Sequence, residues 1–248
     1  MRHHSRLAFP RKLPLVTTFL LFGCLAVYLV ELCLGRRLGE VLVMFAAVPV
    51  GLDSYFHGVP GATFAGNVLP FFSSLLFHGG YIHLLVNLSY LWVVGDFVED
   101  WLGSARFLVL ILFGAAAELI VRVGLSPSPS GLASVGISGA VAALIGAFLV
   151  ILVRLRQQDA PAEGVAFLPH LPVPLGLLAW FPAQLLNPCL AIAVTTQTSE
   201  PVSWPALAAA FVLGMFLLSM TGRRIASTPA VAPAFPKEDP APVPALGA

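Results

Sequence analysis

Long apolar runs constrain the fold of this chain more than any other feature. About six stretches are apolar over roughly 20 residues, the length that an α-helix needs to cross the hydrocarbon core of a bilayer. Hydrophobic residues make up 58% of the 248 residues and charged residues only 10%, which is more apolar than a soluble domain of this length. We therefore predict an all-α membrane protein. Its six spans are expected near 13–35, 78–98, 105–124, 132–153, 172–194 and 202–222.

Basic residues are distributed unevenly between the two sides that six spans would define. With a cytoplasmic N-terminus, ten of the 13 lysines and arginines lie inside, and only Arg36, Arg37 and Arg122 lie outside. The positive-inside rule then predicts a multi-pass protein with both termini in the cytoplasm, in the plasma or inner membrane if the source is bacterial. The net charge of +1 and the lack of a basic run with interleaved aromatics argue against a nucleic-acid partner.

Composition divides the chain into three parts. We predict a cytoplasmic segment over 1–12, a membrane domain over 13–222, and a disordered Pro- and Ala-rich tail over 223–248. The first apolar run is too long for a secretory signal and lacks a convincing cleavage site, so we interpret it as a retained span. Between Arg36 and Ser74, aromatic residues alternate with glycine and proline, which predicts a long first loop in the membrane interface.

Cysteines do not suggest a redox or metal framework. Cys24, Cys33 and Cys189 all fall in predicted spans. We interpret them as small packing residues.

One group of polar residues opens the second predicted span, over His78–Asn87. Polar groups inside a span are costly in lipid, so each calls for a function or a partner. His83 and Asn87 are four apart on one helix face and can donate hydrogen bonds to a single point. The residues leave open the alternative that this pair only packs helices together.

A second group, Gly136-Ile137-Ser138-Gly139, opens the fourth predicted span. A serine between glycines at a helix N-terminus has an accessible hydroxyl with unpaired backbone amides nearby. This is the geometry of a nucleophile whose oxyanion is held by its own amide. Since Ser138, Ala142 and Gly146 also form a small-residue stripe, part of the motif is expected to serve helix packing.

Taken in order, these motifs resemble the rhomboid family of intramembrane serine proteases. The resemblance covers roughly 69–217 and includes Phe-His-Gly-Gly-x-x-His-Leu-x-x-Asn at 77–87 and Gly-Asp-Phe-Val-Glu-Asp-Trp-Leu-Gly at 95–103. It implies a six-transmembrane-helix rhomboid-like bundle in which Ser138 is the nucleophile and His83 and Asn87 form the oxyanion hole. It also implies that the fifth helix is a lateral gate for the transmembrane segments of other membrane proteins, with no cofactor or metal. Residues at positions that we interpret as structural are His78, Glu99, Gly136, Gly139, Ala210 and Gly214.

The sixth span departs from the family pattern at the position of the general base. The family carries Ala-His-x-x-Gly-x-x-x-Gly there, and this chain reads Ala206-Leu207-Ala208-Ala209-Ala210-Phe211-Val212-Leu213-Gly214. Leu207 thus occupies the histidine position, and no histidine follows His170 in the sequence. Leucine cannot take a proton from Ser138, so we predict impaired or absent proteolysis.

Other residues bear on that prediction. His170 precedes the fifth span on the opposite side of the membrane from Ser138, which leaves His57 and His83 as alternative bases. Leu69-Pro70 replaces the Trp-Arg pair of the family, which removes a donor fork that would hold the first loop.

A charged pair remains in the third predicted span. Glu118 and Arg122 are four apart, and we predict that they pair with each other. A proton path through Glu118 is the sharper alternative. A proton path would correspond to a small transporter or channel, a hypothesis that has little support beyond the number of spans.

Overall fold

The computed structural model describes residues 13–126, 131–157, 173–184 and 203–221, in which the regular elements are helical. The predictions for 1–12 and 223–248 lie outside these residues, as do His170, Cys189 and about half of the fifth predicted span. The helices are α1 (Leu15–Leu34), α2 (Leu38–Phe45), α3 (Pro49–Phe56), α4 (Pro70–Ser74), α5 (Tyr81–Leu102), α6 (Ser104–Leu125), α7 (Ser138–Gln157), α8 (Val173–Leu178), α9 (Trp180–Ala183) and α10 (Trp204–Ser219).

Within the described ranges, four helices are long and apolar enough to cross a bilayer, namely α1, α5, α6 and α7. Helix α10 is apolar but shorter, with 16 residues. A helical membrane architecture is thus confirmed for the described residues, whereas the number of six spans stays a prediction.

Helix α7 begins at Ser138, six residues after the start predicted at 132. The preceding segment is held in a non-helical path because Gly136 has a φ of 106°, outside the helical region. The amide of Ser134 also donates to the carbonyl of Ala47 at 2.7 Å, and the amide of Gly136 donates to Ser74 at 3.0 Å. These bonds tie the entry of α7 to the connection that follows α1.

That connection, predicted as a long loop, contains three short α-helices, together with a 3₁₀ turn at Gly35–Arg37 and a π-helical turn at Phe64–Val68. Pro49 and Pro70 each stand in the first turn of a helix, where the missing amide is not needed and the fixed φ is already helical. Helices α2, α3 and α4 therefore replace much of the irregular chain that the glycine and proline content suggested.

Helix α7 is the centre of the packing. Residues 140–148 are buried without interruption, as expected for a helix that is apolar all round and enclosed by others. Helices α5, α6 and α10 pack around it. The backbones of α7 and α10 come close at two glycines. A Cβ on Gly146 would overlap the carbonyl of Phe211, and one on Gly214 would overlap the carbonyl of Ala143.

Two polar contacts fix helix ends. The Glu99 carboxylate accepts from the amides of Val16 at 3.0 Å and Thr17 at 2.8 Å, and from the Ser104 hydroxyl at 2.6 Å. The first-turn amides of α1 have no intrahelical acceptor, so a carboxylate there satisfies them. At the same end of the bundle, the Arg154 guanidinium near the end of α7 donates to the carbonyls of Ser219 and Thr221 at 2.9 Å, which joins α7 to the end of α10.

Candidate functional site

Ser138 is the first residue of α7 and is half-buried. The carbonyl of Ile137 accepts from the amide of Val141 at 2.9 Å, so the helical hydrogen bonds start immediately before the serine. The amides of the first turn therefore have no partner within the helix. A hydroxyl in this place lies beside donors that can stabilise a negative oxygen.

The His83 ring lies against the backbone that leads into Ser138. A Cβ built on Gly136 would stand 2.6 Å from His83 Cε1 and 3.2 Å from Nε2. The positive φ of Gly136 and this contact exclude any larger residue there. The structure thus brings together His83 and the Gly136-Ile137-Ser138-Gly139 motif, which are more than fifty residues apart in the sequence.

Asn87 lies one helical turn beyond His83 and is fully buried. Its Oδ1 accepts from Gln184 Nε2 at 3.3 Å. Its Nδ2, like Nδ1 of His83, is buried and has no hydrogen-bond partner in the described part of the chain. A buried donor without a partner is rare in proteins and calls for an explanation, such as a catalytic role or a bound water.

His78 supports the site from the segment that precedes α5. Its ring meets the His83 ring edge to face, with the centroids 5.3 Å apart. Its amide donates to the Glu31 carboxylate of α1 at 2.8 Å, and its Nδ1 lies 3.1 Å from the carbonyl of Leu76. Burial, with a smaller contribution from the neighbouring His83, lowers the pKa of His78 from 6.5 to about 3, so the ring is neutral at physiological pH.

Leu207 lies in α10 and is 1% exposed. It belongs to the same apolar cluster as Ile137 and Val141 at the start of α7. Ala206 and Ala210 beside it are fully buried, and with Gly214 they form the small face that meets α7.

His57 occupies a different environment from His83. Its side chain is 72% exposed, and its Nδ1 lies 2.9 Å from the carbonyl of Asp53 and 3.3 Å from the Asp53 carboxylate. Among the histidines that the structure describes, His83 is the one that contacts the backbone before Ser138. Of the two alternative bases, His83 is therefore the better placed.

The predicted pairing of Glu118 with Arg122 is confirmed. Arg122 Nε donates to Glu118 Oε1 at 2.9 Å, and Nη2 approaches the same oxygen. The Cβ of Glu118 lies against Gly139, where an added Cβ would stand only 2.5 Å away. The pair thus adjoins the start of α7.

Sequence reasoning missed Gln184 as part of the site. A glutamine inside the apolar run of 172–194 was a signal of the same kind as His83 and Asn87. Glu31 of α1 also supports the site, because its carboxylate accepts the amide of His78.

Comparison with known proteins adds to this geometry. The family model of the rhomboid domain matches residues 65–224, more than half of the chain. The chain is 30% identical over 140 residues to the rhomboid protease GluP of Bacillus subtilis (strain 168), a match that covers 56% of this chain and 25% of that protein. It is 27% identical over 150 residues to the rhomboid protease GlpG of Salmonella paratyphi A, covering 60% of this chain and 46% of that protein. GlpG of Salmonella typhi gives the same values. The matches thus span between a quarter and a half of these relatives.

Proposed function

The chain belongs to the rhomboid family of intramembrane serine proteases, and on that premise we propose that it is a catalytically impaired or inactive member that binds transmembrane segments of partner proteins. The observation that carries the proposal is Leu207, an aliphatic residue where the family pattern has the general base. Without a base, the Ser138 hydroxyl is a weak nucleophile at neutral pH. Base assistance is worth about a hundred- to ten-thousandfold in rate.

The rest of the site supports a retained binding function, because its other structural features are kept although the base is absent. Nitrogens that can donate a hydrogen bond remain buried on His83 and Asn87 without a partner among the described residues, and the glycine contacts between α7 and α10 are intact. In lipid, a polar group that can meet a carbonyl oxygen of another helix favours association. We infer that a bound segment meets these donors from the side of α5 and α9.

Labelling of Ser138 tests the catalytic half of the proposal. The purified protein in nanodiscs is treated with a fluorophosphonate probe and, separately, incubated with a single-span test protein. We expect wild type to match Ser138→Ala in both assays. Leu207→His should raise Ser138-dependent labelling at least about tenfold, since it restores only the base. Leu207→Gln, which is polar but not basic at neutral pH, is the matched control. Robust Ser138-dependent cleavage by wild type would overturn the proposal.

A binding assay tests the other half. A fluorescent single-span helix is reconstituted with the protein, in which Cys24, Cys33 and Cys189 are replaced by alanine. Energy transfer to an acceptor on Trp92→Cys, an exposed position of α5, is measured against dilution with lipid. We expect transfer to exceed that to an acceptor on Val212→Cys, an exposed position of α10. Equal transfer at both positions at every dilution would mean that the segment associates only at random.

A second candidate function is an active, slow serine endopeptidase with His83 as its base. It is favoured by the contact of the His83 ring with Gly136 and by the buried Nδ1 without a partner among the described residues. This function predicts cleavage by wild type that is lost in Ser138→Ala. It also predicts a pH dependence of the rate that disappears in His83→Gln. Cleavage with an unchanged pH profile in His83→Gln would exclude His83 as the base.

A further inference from the structure

Helix α5 and the segment formed by α8 and α9 are joined by two hydrogen bonds between buried groups. The Tyr90 hydroxyl donates to the carbonyl of Gly176 at 2.7 Å, and Gln184 Nε2 donates to Asn87 Oδ1 at 3.3 Å. Between these bonds, the rings of Tyr90 and Trp180 meet edge to face with centroids 6.5 Å apart. The bond from Gln184 ends on Asn87, which belongs to the candidate site.

The carboxamide of Asn87 has two unlike ends, so its partner decides which way it points. Its oxygen only accepts, and its nitrogen carries two donors. With Oδ1 occupied by Gln184, the donor end is turned away from α9 and is buried without a partner in the described ranges. Asn87 lies on the face of α5 that carries His83, whose ring rests on the backbone before Ser138.

We propose that Gln184 is a positioning residue, which holds the Asn87 carboxamide with its donors presented to the site while α9 is docked on α5. The proposal deepens the proposed function, on whose site it rests. Helices α8 and α9 are the described part of the fifth span, which the family resemblance makes the lateral gate. In this proposal, the position of that gate and the orientation of the Asn87 donors depend on the same hydrogen bond. When α9 moves away, Gln184 leaves with it, and the Asn87 carboxamide loses the bond that fixes its orientation.

Two substitutions separate the hydrogen bond from the space that Gln184 fills. Gln184→Met keeps the length of the side chain and removes its donor. Gln184→Glu, when ionised, offers only acceptors, so the Asn87 nitrogen should turn towards position 184 and away from the site. Leu177→Met, at a buried apolar position of α8, is the control for a change in packing alone.

The orientation of Asn87 can be observed directly, because the sequence contains only three asparagines, Asn67, Asn87 and Asn187. Side-chain ¹⁵N-labelled asparagine gives three amide pairs in an NMR spectrum of the full chain in nanodiscs, and Asn87→Ala identifies the relevant one. At a pH high enough to ionise the introduced carboxyl, whose pKa burial raises, we expect Gln184→Glu to move the Asn87 amide protons downfield, since they then donate to a carboxylate. Gln184→Met should shift them upfield or broaden them, and Leu177→Met should leave them unchanged. An Asn87 signal that is the same in wild type and in both Gln184 variants would overturn the proposal.

Gate position is measured on the same variants by electron–electron double resonance between spin labels at Trp92 and Leu178. Both side chains are exposed, and Cys24, Cys33 and Cys189 are replaced by alanine in this background. We expect Gln184→Met to at least double the fraction of long distances. A distance distribution that matches wild type, together with a shifted Asn87 signal, would overturn the coupling between gate and donor.

Segment binding distinguishes this proposal from the function on which it rests. If the NMR and distance results are as expected and the wild-type protein binds no test segment, the positioning role stands and the proposed function fails. If wild type binds the segment and Gln184→Met and Gln184→Glu bind it equally well, the positioning role falls and the function stands. We expect binding to weaken about fivefold in Gln184→Met and more in Gln184→Glu.

Discussion

Helix α10 meets α7 along its length through close backbone packing, with the Arg154 hydrogen bonds only at its end. Helices α8 and α9 meet α5 through side-chain hydrogen bonds and a ring contact. In the first contact, Gly146 lies against the carbonyl of Phe211 and Gly214 against that of Ala143, with no room for a Cβ at either glycine. In the second contact, the bonds from Tyr90 and Gln184 accompany the edge-to-face ring contact between Tyr90 and Trp180.

The difference teaches which of the two contacts can open. Lipid is as apolar as the helices, so their association relies on close van der Waals packing and on polar bonds rather than on exclusion of water. Backbone packing is lost at once when two helices separate, and lipid tails cannot replace it. A hydrogen bond can be exchanged for one to a bound segment, which supports the proposal that α8 and α9 act as a gate against α5 while α10 and α7 form a fixed scaffold.

The largest expected effect breaks the scaffold side of this comparison. Gly214→Leu forces a side chain into the carbonyl of Ala143, and such overpacking against a backbone cannot be relieved by a change of rotamer. We expect a loss of more than about 3 kcal/mol in the free energy of unfolding, or failure to fold. Thermal unfolding in detergent, followed by tryptophan fluorescence, measures it.

Gly124→Leu is the matched control, because nothing lies within 4 Å of a Cβ on that glycine of α6. It should be close to neutral. If Gly214→Leu were equally mild, the tight contact between α7 and α10 would not be the fixed part of the bundle.

A second prediction concerns the charged pair on the scaffold side. Glu118→Gln removes the negative charge that faces the Arg122 guanidinium, while both side chains are largely buried. Breaking a buried pair on one side typically costs about 3 kcal/mol. In the double variant Glu118→Gln with Arg122→Gln, the free energy of unfolding, measured by chemical denaturation, should recover part of this loss. No recovery would mean that the effect comes from the packing of Glu118 on Gly139 and not from charge.

Much of the scaffold could be predicted from the sequence, because apolar length is a local property. The runs that became α1, α5, α6 and α7 were identified from composition alone. The start of α7 was placed too early, since its true position depends on the φ of Gly136 and on hydrogen bonds to Ser74 and Ala47. These partners are distant in sequence, and no local pattern reveals them. The short helices of the first connection were hidden by its glycine content, although Pro49 and Pro70 mark their starts.

The site was predictable where its residues share one helix. A spacing of four placed His83 and Asn87 on the same face of α5 without knowledge of the fold. Gln184 was missed because its partner, Asn87, lies 97 residues away. A lone glutamine in an apolar run does not say which helix it meets. The role of Leu207 as the residue at the base position stays a prediction that rests on the family pattern.

Acidification should act on the polar residues around the start of α5, where His78 contacts His83 and Glu31, and not on the backbone packing of α10 on α7. Burial lowers the pKa of His78 to about 3 from 6.5, so the unfolded chain binds a proton more readily than the folded protein. The stability from the neutral ring is complete above pH 6.5 and is lost as the pH falls from 6.5 towards 3. At about 1.4 kcal/mol per unit, the free energy of unfolding at pH 5 should be about 2 kcal/mol below its value at pH 8.

His78→Gln is the control for this prediction, since it keeps a polar side chain that does not titrate in this range. The difference between the unfolding free energies at pH 8 and pH 5 should shrink by most of that amount in the variant. An unchanged difference would assign the pH dependence to other groups, such as Glu31, which accepts the amide of His78.

The smallest expected effect on stability comes from the gate side, where Tyr90→Phe removes the hydroxyl that donates to the carbonyl of Gly176. A hydrogen bond between membrane helices contributes about 1 kcal/mol or less, so the unfolding temperature should change little. The same loss acts on the docking of α8 against α5, to which this hydrogen bond contributes directly. There, about 1 kcal/mol changes the ratio of docked to undocked states roughly fivefold. Spin labels at Trp92 and Leu178 should therefore report a longer mean distance, while Tyr81→Phe, at an exposed position of α5, should leave it unchanged. A large fall in stability with no change in this distance would reverse the comparison, because it would make the α5 contact part of the scaffold.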